Sequence, residues 1–137
     1  AAKIRERLSG CVICEQLDGA LNRYAYTIAQ LYGTNAEFKQ MLDASKGFCL
    51  PHLALVLDMA QKTLPAAQAD AFSKAVAAVE LPNLKRLSDE LEWFTLKYDF
   101  RNADKPWGNS CDAVERSINK LMGACVGDEA KMPAHND

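Results

Sequence analysis

The sequence predicts an all-α, single-domain helical bundle of five or six helices, and three observations lead there. Apolar residues recur at spacings of three and four along nearly the whole chain, the period of an amphipathic helix. No alternation of apolar and polar residues runs long enough to mark a half-buried strand. The 137 residues suit one domain, able to bury roughly two-thirds of its unfolded surface.

The elements follow in order. Leu17, Leu21, Tyr24, Ile28 and Leu31 mark the buried face of a first helix, which Gly33 is expected to end. Thr34-Asn35-Ala36-Glu37 reads as a capping box that starts a short second helix through about Ala44. Lys46-Gly47 stops it. A third helix follows Cys49, with Pro51 in its first turn and Leu50, Leu53, Val56, Leu57, Ala60 and Leu64 as its buried stripe. Pro65 opens an alanine-rich helix carrying Val76 and Val79. Pro82 either kinks that helix or starts another. Leu84, Leu87, Leu91, Phe94 and Tyr98 then continue the helical rhythm. Residues 101–109 form a loop, and Asn109 or Ser110 caps a last helix. Its buried stripe is expected to be Cys111, Val114, Ile118, Leu121 and Cys125, the two cysteines acting as small core hydrophobes. The helical domain spans 1–126 and a polar tail 127–137.

Composition narrows the function. Hydrophobic residues make up 49% and charged residues 25%, which excludes wholesale disorder and fibrous structure. The net charge of −2 argues against general nucleic-acid binding. No stretch is long and apolar enough for a membrane span. The first residues carry no apolar run of signal-peptide type, and the cysteine count is odd. Together these predict a reducing, cytoplasmic setting rather than a disulfide framework. No glycine-rich phosphate loop, glycine-flanked nucleophilic serine or acid/base carboxylate pair marks the chain as an enzyme.

The chemistry concentrates in cysteine. Cys11-Val12-Ile13-Cys14 is a CxxC pair, and Cys49-Leu50-Pro51-His52 is a CxxH pair. A two-residue gap brings both side chains of a pair toward one point, and the two pairs together supply the four ligands of a closed tetrahedral zinc site. Both fall at expected helix starts, where the partial positive charge favours thiolates. Cys11, Cys14, Cys49 and His52 are therefore the candidate metal ligands, a Cys3His staple between the starts of the first and third helices. The same residues could hold an iron–sulfur cluster, or Cys11 and Cys14 could act as a redox pair. His135 reads as a solvated tail residue.

A second feature is aromatic. Tyr98, Phe100 and Trp107 stand with Arg101 and Lys105 around the end of the Leu84–Tyr98 segment. They form either a partner or small-ligand surface, with the cations orienting an anionic group, or a helix end that Trp107 covers as a lid.

Cys11-Val12-Ile13-Cys14 before a long helix, Gly47-Phe48-Cys49-Leu50-Pro51-His52, Lys97-Tyr98-Asp99-Phe100-Arg101 and Lys105-Pro106-Trp107-Gly108 together resemble an uncharacterised family of small bacterial helical proteins. Some of its members are labelled ABC-transporter substrate-binding proteins. That label does not suit a chain this short with no two-lobed α/β pattern. The resemblance implies that Cys11, Cys14, Cys49 and His52 act as one unit and that the loop around Trp107 matters. The expected function is a non-enzymatic, zinc-binding helical protein acting through an unidentified protein or small-molecule partner. The alternative is a redox or electron-transfer protein built on the same residues.

Overall fold

A computed structural model describes residues 1, 3–4 and 10–123. Five α-helices are present among them and no strand. They are α1 (Val12–Thr34), α2 (Ala36–Asp43), α3 (Leu50–Thr63), α4 (Ala66–Leu96) and α5 (Ala113–Met122). Two single 3-10 turns, Phe100–Asn102 and Gly108–Ser110, lie between α4 and α5. No described helix is long and apolar enough to cross a membrane.

Packing is centred on α1 against α3. The faces that meet carry small residues, Ala25 and Ala29 on α1 and Val56 and Ala60 on α3, and Ala29 and Ala60 are 0% exposed. Small side chains let the two backbones approach closely. Larger groups then close around the seam, among them Leu42 of α2, Phe72 and Val76 of α4, Tyr32 and Phe48. Tyr32 meets Phe72 edge to face at 5.1 Å. The seam therefore runs through the alanines, turned away from the expected stripe. Leu17 is 58% exposed, because α3 does not reach the first two turns of α1; Tyr24 is 67% exposed although it lines a cavity with His52, Leu55 and Val56 of α3. Every residue from Cys11 to Asp18 is exposed.

Local signals explain most boundaries. α1 continues through Gly33 to Thr34, and Asn35 rather than the glycine ends it. Asn35 serves twice: its N–H closes on the Leu31 carbonyl, and its Oδ1 accepts the Phe38 N–H to start α2. Thr34, the other candidate cap, donates its hydroxyl to the Gln30 carbonyl inside α1. Pro82 lies within one continuous α4. Its ring disturbs the ladder there, and the Asn83 amide donates to the Val79 carbonyl at 2.9 Å.

The last helix reverses its expected orientation. Asp112, not Asn109 or Ser110, occupies its N-cap position. Its inward face is Ala113, Arg116, Ser117 and Lys120, while Val114, Ile118 and Leu121 point outward and are exposed. Cys111 is exposed as well, so it is not a core residue; Cys125 and His135 lie outside the described residues. The cause is two inward carboxylates on α4. Arg116 pairs with Glu90, and Lys120 with Glu80. Outward apolar positions contribute little to folding. Ile118→Ala is expected to leave the midpoint of urea unfolding nearly unchanged, whereas a buried isoleucine would cost about 2–5 kcal/mol.

Candidate metal centre

The CxxH pair is held by a turn that the sequence only hinted at. Gly47 adopts φ +74°, a left-handed conformation that favours glycine. A Cβ at Gly47 would stand 2.2 Å from Oε1 of Glu80, so the glycine is needed for space as well as for conformation. Glu80 lies mid-way along α4 and is 2% exposed. Its Oε1 accepts the Phe48 N–H at 2.5 Å, and its Oε2 takes the Lys120 ammonium at 2.5 Å. Lys120 also donates to the Lys46 carbonyl at 3.0 Å. One buried carboxylate thus ties the 46–49 turn to α4 and α5. Phe48 then enters the core, and Cys49 takes the N-cap of α3 with Pro51 in the first turn.

At that cap, Sγ of Cys49 lies 3.1 Å from Nδ1 of His52. A zinc ion bound to both would set a sulfur–nitrogen separation of about 3.6 Å, from usual bond lengths and a tetrahedral angle. The pair is therefore within about half an ångström of chelating geometry, with Nδ1 as the ligating nitrogen. A Cβ at Gly123, the αL cap that ends α5, would come within 3.2 Å of the Cys49 sulfur. The end of α5 and the start of α3 thus abut.

The first pair is organised differently. Cys11 is the N-cap of α1, and its sulfur accepts the Cys14 N–H at 3.5 Å. The N–H and thiol of Cys14, with the Ile13 N–H, hold the Cys11 thiol below its ordinary value. Reciprocally, the hydrogen bond with Cys11 pushes the Cys14 thiol up. Both are fully accessible. The arrangement places two exposed thiols of unequal acidity side by side at a helix start.

The two pairs lie on adjacent helices but are not drawn together. Among the described residues, no three of His, Cys, Asp and Glu are gathered closely enough to hold a metal. His52 shares a small apolar cavity with Leu21, Ala25 and Ile28 of α1. Cys14 stands about 10 Å further along the α1 axis than Leu21.

The aromatic residues divide. Trp107 packs against Phe94, with ring centroids 5.7 Å apart, and its ring lies 5.1 Å from the Lys97 ammonium. That is a lid. Tyr98 is exposed rather than buried, and Phe100 is 86% exposed. Arg101 is held by the Asp99 carboxylate at 2.6 Å, and Lys105 lies 5.8 Å from the Trp93 ring. The residue that organises this loop is Lys97, which pattern reading assigned no role. Its buried ammonium donates to the carbonyls of Asn102, Ala103 and Lys105 at 2.8, 2.8 and 2.6 Å.

These features define an all-helical domain with two cysteine-containing pairs at helix starts and a lysine-knotted aromatic loop. The chain belongs to a family of unknown function, DUF6062, whose sequence model matches residues 1–128. No curated protein and no solved structure matches it.

Proposed function

We propose that the protein is a metal-binding helical domain in which Cys11, Cys14, Cys49 and His52 hold one zinc ion as a closed, structural Cys3His centre. The observation that carries this reading is the Cys49–His52 pair, already near chelating geometry at 3.1 Å on a turn built around Glu80. The donor chemistry fits: three thiols and an imidazole, each pair at a helix N-terminus. Zinc would supply folding energy by cross-linking α1 to α3. Bringing the pairs together requires the uncovered start of α1 to bend toward α3. Gly19, just past the unbroken exposed run from Cys11 to Asp18, is the residue type least favourable to helix in this part of α1. The role of the centre is to fix a helical scaffold that acts through a partner in a reducing compartment such as the cytoplasm. The exposed Tyr98 and Phe100 beside the Trp107 lid are the candidate contact surface.

Elemental analysis of protein purified without oxygen tests this reading. One zinc per chain is expected, with Cys14→Ser and Cys49→Ser each losing the metal and lowering the melting temperature sharply. Full zinc content in either variant, or unchanged melting after its loss, overturns the structural centre. Gly19→Ala sharpens the test. A Cβ there meets only the Arg23 guanidinium at 3.6 Å, so alanine fits. It should stabilise metal-free protein by about 0.5–1 kcal/mol while weakening zinc binding, because α1 then resists bending.

The geometry of Cys11 favours a second reading, a dithiol redox pair. Its accessible thiolate would attack the disulfide of a partner protein, and Cys14 would resolve the mixed disulfide, leaving the partner reduced and Cys11–Cys14 oxidised. A colourless, zinc-free protein whose Cys11 alkylates far faster than Cys49 would favour this reading. A brown protein absorbing near 400 nm would favour an iron–sulfur cluster on the same residues.

A further inference from the structure

Between the 46–49 turn, α4 and the inward face of α5 lies an open cleft of 200 Å³. Lys46, Arg86, Arg116 and Lys120 line it, together with Asn83, and no carboxylate does. In a chain of net charge −2, four cations around one small cleft run against the overall balance. The carboxylates that hold three of these cations lie outside its lining. Glu80 takes Lys120, Glu90 takes both Arg86 and Arg116, and Asp112 takes Arg116 at 2.8 Å. Glu80 is buried, and the Glu90 side chain is only 14% exposed. Glu80 and Glu90 thus hold Lys120, Arg86 and Arg116 from behind, while Asp112, 48% exposed, holds Arg116 from the side of the adjoining hollow.

The cleft has donors to spare. Arg86 bonds Glu90 through Nη1, at 3.0 and 2.9 Å, which leaves its Nε and Nη2 protons without a protein acceptor among the described residues. The Lys46 ammonium has no ion-pair partner among them. Both residues also line an adjoining depression that runs to Gly108, Cys111 and the Asp112 carboxylate, so they stand where the two hollows meet. A guanidinium fork matches the oxygens of a phosphate or carboxylate, and an ammonium adds a point charge. The volume is below the range of pockets that enclose drug-sized molecules, which limits the ligand to a small one.

We propose that this cleft is an anion-binding site for the phosphate group of a small phosphorylated ligand, gripped by Lys46 and Arg86 at its mouth and by Arg116 and Lys120 within. A phosphate dianion suits it better than a single carboxylate, because two donor-bearing cations face solvent together at the junction. The site does not rest on the zinc reading. None of its four cations is a proposed zinc ligand, although Cys49 of the CxxH pair also lines the cleft.

Titration calorimetry with inorganic phosphate and with phenyl phosphate tests the proposal at constant ionic strength. Wild-type protein, both as purified and after treatment with a chelator, should bind one equivalent saturably. Lys46→Gln and Arg86→Gln, each at an exposed or half-exposed side chain, should keep the helical circular-dichroism spectrum and lose at least tenfold in affinity. Succinate should bind at least tenfold more weakly than phenyl phosphate. Absence of saturable binding, equal affinity in the variants, or equal competition by chloride overturns the site. Tighter binding of succinate overturns the choice of phosphate. Loss of zinc in Cys14→Ser with phosphate binding retained would separate the two sites.

Discussion

Gly47→Ala is expected to cost about 3–5 kcal/mol of folding stability. Two penalties combine. A non-glycine residue held at φ +74° carries about 1–2 kcal/mol of conformational strain. The new Cβ would also overlap Oε1 of Glu80, and the carboxylate cannot withdraw without releasing both the Phe48 N–H and the Lys120 ammonium. Breaking a buried ion pair leaves an uncompensated charge, here Lys120, whose side chain is 12% exposed. Glu80→Ala removes the same anchor and should cost a similar amount. A double-mutant cycle by urea unfolding distinguishes a shared anchor from two separate lesions. Once Glu80 is alanine, the extra methyl at Gly47 has nothing to strike, so the double variant should lose much less than the sum of the single losses. Strict additivity would mean that the turn is held by something other than this carboxylate. Because Cys49 is the last residue of the turn, both variants should also loosen the Cys49–His52 pair.

Helical periodicity in the sequence locates the helices well and their neighbours poorly. The stripe Leu17, Leu21, Tyr24, Ile28 and Leu31 marks α1 correctly, yet periodicity cannot say how far α3 extends along it. Leu17 and Ile13 therefore stand exposed beyond the point where α3 begins. In α5 the rule that apolar faces turn inward gives the wrong face. Arg116 and Lys120 look like solvated residues until Glu80 and Glu90, far away in sequence, are known to point at them. Only a long-range contact could reveal that, although a glutamate set between Val79 and Leu81 was a faint sign. The cysteine pairs show the same division. Spacing places Cys11 and Cys49 at helix starts, as the structure does, because capping is local. Whether the two pairs meet depends on the relative reach of α1 and α3, which spacing does not encode.

Lys97→Met is expected to cost about 2–4 kcal/mol, although the substitution keeps most of the volume and sits at the end of a helix. The Lys97 ammonium is the common donor to three carbonyls of residues 102–105, and the residue is 8% exposed. A thioether cannot replace those bonds. The carbonyls must turn to water, and the loop that carries Trp107 over Phe94 must open with them. Trp107 also loses the cation beside its ring. The change should appear as a red shift and increased quenching of tryptophan fluorescence together with the lower unfolding midpoint. Arg101→Ala provides the contrast. Its pair with Asp99 lies in solvent, so melting should be unaffected even though Arg101 makes more hydrogen bonds to one carboxylate than any other exposed cation of the loop. If Lys97→Met left the fluorescence and the midpoint unchanged, the loop would be held by Trp107 packing alone. Trp107→Ala would then be the variant that unfolds it.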